Sequence, residues 1–387
     1  MTPSQHVGTA PPTHQASHQI GPGNRPPAEP PAHSPAPPRR GQLATRILVP
    51  TLSVLLGAVV VASTSVGTIP VAPLEAMKII VGHMIPGMPW MSDGTLTPLQ
   101  DSAVWQFRLP RILLAALTGA ALALAGALLQ AVVHNSLAEP YILGVSAGAG
   151  VGAVSFIVLG IGVSSLGIGA SAFVGALVAT AAVYLLARKN GRIAPQRLIL
   201  AGVALGSLFS AITSYLTIST DAQNVFSIMF FLLGSVSAAT MHQLVLPVIA
   251  LFSVGVFTAL RARALNALLI GDDAANSLGI NVNRLRTTVL IAAALLTASV
   301  VAVSGGIGFV GLIIPHIARI IVGSDHRKML PVALLSGAVF LTTCDLLART
   351  LAAPSEIPLG VLTALVGAPF FLWLLRRDRA DNVGGGR

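Results

Sequence analysis

Apolar runs of about twenty residues recur along most of this chain, and they limit the folds that are open to it. Ten candidate spans follow residue 43, and most reach the ~20 residues that a helix needs to cross a ~30 Å hydrocarbon core. Only 9% of the 387 residues are charged, against about 25% in soluble domains. The sequence therefore predicts an all-α polytopic membrane protein, with spans at about 44–66, 108–132, 141–163, 165–187, 198–219, 243–262, 286–304, 307–323, 329–351 and 357–375.

The segments outside these spans differ in character. Residues 1–42 hold eleven of the 26 prolines and four of the nine histidines, with few large apolar side chains. Such a segment cannot bury enough surface to offset its ordering entropy, so we expect a disordered cytoplasmic tail. The stretches 71–90 and 224–235 are apolar but too short to span, and we expect both near a membrane surface. A membrane domain over 43–377 and a short cytoplasmic tail over 378–387 complete the prediction.

The positions of lysine and arginine indicate the orientation of the chain. With ten spans and a cytoplasmic N-terminus, nineteen of the 23 basic residues fall on the inner side. Only Lys78, Arg108, Arg111 and Arg349 fall outside. This skew is what the positive-inside rule predicts, so both termini are expected in the cytoplasm. The net charge of +10 is thereby explained by membrane orientation, and nucleic acid is not expected as a partner.

The sequence offers no catalytic constellation. A single cysteine, Cys344, excludes a disulfide framework, a cysteine-based zinc site and an iron–sulfur cluster. The three lysines follow Met77, Arg188 and Arg327, so no glycine–lysine pair forms a phosphate-binding loop. The four-residue spacing of Gly144, Gly148 and Gly152 is typical of close helix packing. We expect no metal site and no ATP site in this chain, so any ATP and Mg would be bound by a partner.

Four ionisable residues near the outer ends of spans have alternative interpretations. Arg108, Arg111 and Arg349 are either ordinary interfacial anchors or a docking site for an acidic partner, which arginine forks suit. Asp345 is the one acid well inside a predicted span. It is either a functional carboxylate or the partner of Arg349, one helical turn away, and the ion pair is favoured.

Two further segments are broken by glycine. In 263–279, Gly271 interrupts the chain, Asp272 or Asp273 can cap a short helix, and Gly279 can end it. This helix either lies on its own bundle or fits a groove on a cytoplasmic partner. In 304–319, four glycines followed by Pro315 predict a broken helix entry, which survives at membrane depth only when buried or lining a cavity.

Several motifs, taken in order, carry a resemblance to a known family. RLPR at 108–111 precedes GAALALAGALLQAVVHNSLAEPYILGVSAGAG at 119–150, and later come GDDAANSLG, GGIGFVGLIIPHIAR, SDHRKMLP, DLLART, EIPLG and GAPFFLWLLRR. Over about 45–377 the chain resembles the FecCD-type permeases of ABC importers for iron–siderophores, haem and cobalamin. It departs at His134-Asn135-Ser136, where family members usually carry Asn-Pro, so the local loop geometry is expected to differ.

The resemblance implies partners and roles for particular residues. Two permease copies, or two homologous chains, would enclose the pathway. An extracytoplasmic binding protein would place glutamates on Arg108, Arg111 and Arg349, and cytoplasmic ATP-binding subunits would seat the segment 263–279. The residues assigned to coupling are Gly271, Asp272, Asp273, Ala274, Leu278 and Gly279, and those assigned to the pathway or its structure are Gly305, Gly306, Pro315, His316 and Asp345.

The predicted function is therefore that of a permease subunit for a ferric siderophore in the cytoplasmic membrane. An ion-coupled secondary transporter with Asp345 as a relay is the alternative. A membrane-embedded enzyme is a third possibility, which the missing catalytic constellation disfavours.

Overall fold

A computed structural model describes residues 40–160, 164–189 and 192–384. Helices dominate this part of the chain, and one antiparallel hairpin joins β1 (Arg188–Lys189) to β2 (Arg192–Ile193). The α-helices are α1 (Arg40–Ser65), α2 (Pro73–Met84), α3 (Pro98–Ser102), α4 (Leu109–Val133), α5 (Val145–Val158), α6 (Ser165–Ala187), α7 (Pro195–Ile218), α8 (Ala222–Leu233), α9 (Val245–Leu268), α10 (Asp272–Ser277), α11 (Val282–Ser304), α12 (Val310–Val322), α13 (His326–Thr350) and α14 (Leu359–Gly384).

Each of the ten predicted spans contains one helix, which confirms the all-α membrane fold. Seven helices in the described ranges are long and apolar enough to cross a membrane. Helices α5 (Val145–Val158) and α12 (Val310–Val322) are shorter than the spans predicted at 141–163 and 307–323, whereas α14 covers the span predicted at 357–375 from Leu359 onward. A 3-10 turn over Pro140–Leu143 and the left-handed Gly144 precede α5, and non-helical backbone precedes α12. The two short stretches contain the helices α2 and α8, and their place near a membrane surface stays a prediction.

The central element is α4, which is surrounded by other helices along nearly its whole length. Its leucines and alanines favour helix, and twenty-one of its 25 residues are buried. Gly119 lies against the backbone of Gly337 in α13, and Gly126 lies against that of Gly311 in α12. A Cβ atom at either position would collide with that backbone, so glycine allows the helices to approach closely.

The outer end of α4 is extended by further helical turns. Thr97 caps α3 by accepting a hydrogen bond from Gln100 N at 3.2 Å. A π-helical turn over Ala103–Arg108 then joins α3 to α4, giving one continuous helical run from Pro98 to Val133. The run carries Arg108 and Arg111 on consecutive turns at the outer mouth of the bundle.

The predicted tails fall mostly outside the described residues. The disorder predicted for 1–42 is wrong at residues 40–42, because α1 begins at Arg40, and residues 1–39 lie outside the described residues. At the other end α14 continues to Gly384.

Candidate functional site

The three outer arginines line one cavity of about 850 Å³. The start of α4 provides two of them and the end of α13 provides Arg349. The loop after α1, the aromatic side chains of α8 and the loop before α14 form the other walls. The sequence prediction that these arginines lie at the same end of the bundle is therefore confirmed, whereas their role in docking stays a prediction.

Arg108 braces the end of α1. Its guanidinium donates to Thr64 O at 2.7 Å, to Ser65 O at 3.3 Å and also to Ile69 O. The last carbonyls of a helix have no partner within the helix, and a cation there satisfies them favourably. Only 7% of Arg108 is exposed. The hydrogen bonds of its guanidinium are thus made to the protein's own backbone.

Arg111 holds two carboxylates at once. Its Nε donates to Asp345 Oδ1 at 2.8 Å, and its Nη1 donates to Glu356 Oε1 at 2.7 Å. The Asp345 side chain is fully buried, whereas that of Glu356 is 36% exposed. One carboxylate is therefore a permanent structural partner, and the other faces the cavity.

Arg349 is the second cation beside Asp345. Its Nε lies 3.9 Å from Asp345 Oδ2, which is at the limit of an ion pair. Its Nη2 donates to Ser63 O at 2.6 Å and its Nη1 to Val66 O at 3.2 Å. The predicted pair with Asp345 exists, but Arg111 is the hydrogen-bonded partner. Arg349 mainly shares with Arg108 the task of capping α1.

At the inner end, α10 forms where the sequence placed a short helix. Gly271 is its N-cap with φ +124°, and no side chain caps the helix, so the expected capping by Asp272 or Asp273 is wrong. The reason is that the helix already includes Asp272 and Asp273, so Gly271 takes the capping position, and Arg286 in α11 donates to both oxygens of Asp272, at 2.8 and 2.9 Å. The predicted ending at Gly279 is confirmed, since Gly279 has φ +78° and Ile280 N donates to Ala275 O.

The surface of α10 and its flanks is apolar in part. Ala275 is buried against the bundle, whereas Asp273 is exposed and Ala274 is half-buried. Leu269, Ile270 and Leu278 are exposed by 42%, 74% and 67%. These three large apolar side chains contribute little to the packing of the bundle. Together they form an exposed apolar patch on the inner face.

His134 connects this helix to the central one, and sequence reasoning did not assign it a role. It ends α4 in the left-handed region with φ +53°. Its Nε2 donates to Leu268 O at 2.7 Å, and its Nδ1 accepts from Arg286 Nη2 at 3.3 Å. The signal in the sequence was the departure at His134-Asn135-Ser136, which marked unusual loop geometry without showing its contacts.

A second junction at the inner end joins α9 to α13. Asn266 Nδ2 donates to Asp325 Oδ1 at 2.7 Å, and Asp325 also caps α13 by accepting from Arg327 N at 3.1 Å. Burial raises the pKa of Asp325. These hydrogen bonds and the neighbouring Lys328 and Arg327 lower it by more than burial raises it, so the pKa lies below its usual value. The carboxylate is therefore charged at neutral pH and fixes α9 against α13.

The broken entry to α12 lies in the middle of the bundle. Gly305 and Phe309 both have φ +69°, so the backbone between α11 and α12 is not helical. Tyr141 OH donates to Ile307 O at 2.8 Å and accepts from Ile307 N at 2.6 Å, while Glu139 Oε1 accepts from Phe309 N at 2.7 Å. These side chains, which the sequence analysis did not single out, satisfy backbone groups that would otherwise be unpaired in the membrane.

This broken segment borders a cavity of about 580 Å³. Its lining comes from the broken segment, α8, α14 and the start of α5, and none of the lining residues is charged: Tyr141, Ser146, Leu232, Leu233, Gly306, Gly308, Phe309, Gly360, Val361, Ala364 and Leu365. Gly306 lines the cavity, and Gly305 lies against the carbonyl of Phe231. The broken segment was expected to be buried or to line a cavity, and both occur: Ile307 is buried, and Gly306 and Gly308 line the cavity.

Pro315 and His316 lie further along α12, away from this cavity. Pro315 is inside the helix and buried. Arg319, one turn on from His316, donates to Gln130 Oε1 at 2.9 Å, and Gln130 Nε2 donates to Leu312 O at 3.1 Å. Gln130 thus ties α12 to α4. Within the described residues no group of three histidine, cysteine, aspartate or glutamate side chains could hold a metal ion.

The fold and its two polar ends define a polytopic permease. The chain belongs to the FecCD transport family, which matches residues 55–377. It is the permease subunit of an ABC importer and a multi-pass protein of the cytoplasmic membrane, and it is not an enzyme. Importer permeases of this kind work with ATPase and substrate-binding partners. Membership of this family overturns the alternative of an ion-coupled secondary transporter.

Individual relatives are similar over most of their length. The cobalamin import system permease protein of Halobacterium salinarum is 40% identical over 84% of this chain and 94% of that protein. The hemin transport system permease protein of Yersinia pestis is 39% identical over 73% of this chain and 87% of that protein. A solved structure described as an inward-facing conformation of a metal-chelate type ABC transporter matches with a TM-score of 0.74 and 33% identity, covering 86% of this chain and 99% of that one.

Proposed function

We propose that this permease forms the membrane pathway for a metal chelate, and that a ferric siderophore is its substrate. The observation that carries the proposal is the uncharged cavity of about 580 Å³ beside the broken entry to α12. A chelate wraps its metal ion in ligand groups, so its pathway needs room and no fixed charge of its own. The similarity to a metal-chelate type transporter supports the same class of substrate.

Cobalamin is the second candidate, because several cobalamin or vitamin B12 permeases are similar to this chain. They include the Halobacterium salinarum protein and the vitamin B12 permease of Vibrio cholerae, which is 39% identical over 78% of this chain. The cavity lining offers few polar groups with which to distinguish two bulky neutral chelates. The binding protein would therefore select between the two substrates. Which of them is transported has to be measured in an uptake assay.

Uptake into proteoliposomes tests the proposal. The permease, its ATPase and its binding protein would be reconstituted, and uptake of labelled ferric siderophore, haem and cobalamin compared with ATP inside the vesicles. We expect ATP-dependent uptake of the ferric siderophore, at least tenfold above that of the other two. Ala364→Trp, which narrows the cavity, should reduce this uptake, whereas Val366→Trp, at an exposed position of α14 outside the lining, should not. Preferential uptake of cobalamin or haem would overturn the siderophore assignment, and uptake of none would overturn the metal-chelate class.

The inner apolar patch supports a role for α10 in coupling. We infer that the ATPase subunit, which would bind ATP and Mg, seats α10 and its exposed Ile270 and Leu278 in a groove. The two oxygens of Asp272 are held by Arg286, so Asp272 serves to orient the helix. Asp273 is free to face the partner, since it is exposed. A second permease copy or a homologous chain would complete the pathway.

The outer cavity supports docking of a soluble binding protein through carboxylates. Arg111 lines the cavity, and one of its two partners, Glu356, is 36% exposed. Arg108 and Arg349 also line the cavity, but both bond to backbone carbonyls at the end of α1. We therefore assign the attraction of the partner's carboxylates mainly to Arg111, with Arg108 and Arg349 adding positive charge around it.

Glu356 competes for Arg111 in this arrangement, and its removal gives a test. Replacing it with glutamine (Glu356→Gln) should strengthen the docking of the binding protein by up to about fivefold, because a partly exposed ion pair is worth about 1 kcal/mol or less. The measurement is the Kd of the binding protein for the purified permease at several salt concentrations. Asp93→Asn is the matched control, since it removes another exposed carboxylate on the outer side. Equal or weaker docking in Glu356→Gln than in Asp93→Asn would contradict the assignment.

A further inference from the structure

A groove on the membrane-facing side of the bundle has no place in the transport cycle described above. It encloses about 370 Å³ between α6, α7 and α11. Its walls are apolar, with Leu177, Leu198, Ile291 and Leu295 among them, and Tyr184 contributes the one phenol. Tyr184 OH lies 3.3 Å from Thr287 Oγ1, so a pair of hydroxyls joins α6 to α11.

The far end of the groove lies about one leaflet's depth from the basic residues that follow α6 and begin α11. Along α11 the lining reaches Leu295, eleven residues beyond Arg284, and along α6 it begins at Leu177, eleven residues before Arg188. At 1.5 Å per residue each distance is about 16 Å. Half of a ~30 Å hydrocarbon core is about 15 Å. With the arginines at the level of the inner headgroups, the groove therefore lies within the depth of the inner leaflet.

The chain segments that flank the inner end of the groove are basic. Residues 184–198 and 281–295 contain six basic residues and no acid: Arg188, Lys189, Arg192, Arg197, Arg284 and Arg286. Arg286 is paired with Asp272. Arg188, Arg197 and Arg284 are exposed, and no ion pair involves them in the described part of the chain. Basic clusters beside grooves between transmembrane helices on the cytoplasmic side suit anionic lipid headgroups.

We propose that this groove is a binding site for an anionic phospholipid of the inner leaflet. One acyl chain occupies the apolar groove between α6, α7 and α11, and the phosphate lies among Arg188, Arg197 and Arg284. The acyl chain accounts for the apolar walls, and the phosphate accounts for the surplus of cations. A zwitterionic lipid offers the same chain but no net charge, so it binds more weakly.

Native mass spectrometry of the purified permease tests the site. The protein in detergent would receive equal amounts of phosphatidylglycerol and phosphatidylcholine with identical acyl chains, and the retained lipids would be counted. We expect phosphatidylglycerol to be retained preferentially. In Arg197→Gln/Arg284→Gln its affinity should fall roughly thirtyfold, the equivalent of about 1 kcal/mol for each arginine. Leu295→Trp, which fills the groove, should lower retention of both lipids.

Matched controls separate the site from general attraction. Arg261→Gln/Arg263→Gln removes two exposed cytoplasmic arginines at the end of α9, and Leu260→Trp enlarges an exposed apolar side chain outside the groove. Both should retain phosphatidylglycerol as the parent protein does. Inorganic phosphate added in excess should not displace the lipid, because it has no acyl chain. Equal retention of the two lipids, an equal loss in the Arg261→Gln/Arg263→Gln control, or displacement by phosphate would each overturn the proposal.

Discussion

Leu278→Asp is expected to abolish the stimulation of ATP hydrolysis by the loaded binding protein in the assembled importer. Leu278 follows α10 and is 67% exposed, so its side chain contributes little to the permease's own fold. In a partner's groove a leucine gives about 1.5–3 kcal/mol by burial. An aspartate there would lose that energy and leave a charge without a partner, at a further cost of several kcal/mol. Coupling should therefore fall by more than a hundredfold.

The measurement compares ATPase stimulation and transport in the same proteoliposomes. Leu43→Asp is the control, since Leu43 is an exposed leucine near the inner end of α1. It adds the same charge to the inner side without touching α10, and coupling should persist. Normal membrane insertion of both variants is also expected. If Leu278→Asp retained full stimulation and transport, α10 would have no role in coupling.

Arg111→Leu is expected to destabilise the permease by about 3–5 kcal/mol, because it leaves the buried carboxylate of Asp345 without its hydrogen-bonded partner. Arg349, 3.9 Å away, is too distant to replace it. Removing both charges in Arg111→Leu/Asp345→Leu should recover most of the stability, since a buried pair can be replaced by apolar side chains at little cost. The single substitution thus harms the protein more than the double one.

Thermal unfolding in detergent, followed with a conformational probe, checks this order. The midpoint should be lowest for Arg111→Leu, intermediate or near the parent value for the double variant, and unchanged for Arg263→Leu, which removes an exposed cation. A double variant as unstable as the single one would show that Asp345 is not what makes Arg111 necessary.

The spans and their breaks could be predicted from the sequence because they depend on local composition. Apolar runs locate helices whatever their neighbours are, and the glycines at 305–308 mark the broken entry to α12. The end of α10 at Gly279 follows from the same kind of local signal. Helix lengths were less predictable: α5 begins only at Val145, because the chain before it turns inward to place Tyr141 against Ile307.

The partners of the charged residues could not be predicted, for two physical reasons. Arg111 and Asp345 are 234 residues apart, so only the packing of α4 against α13 brings them together. Arg108 and Arg349 bond mainly to backbone carbonyls, which every residue has and which no sequence pattern marks. Asp272 was expected to cap its own helix, but the fork of Arg286 competes for the same oxygens and binds both.

The central position of α4 has a mechanical consequence. Its 25 residues extend about 37 Å at 1.5 Å per residue, from the turn that bears Arg111 to His134, whose ring contacts both Arg286 and the end of α9. A closely packed helix cannot shorten or bend freely, because its neighbours leave no space. α4 therefore links the arginine end of the bundle to the contacts of His134 as one continuous helix. If the two ends are coupled during transport, α4 is the element through which a shift of Arg111 would reach His134.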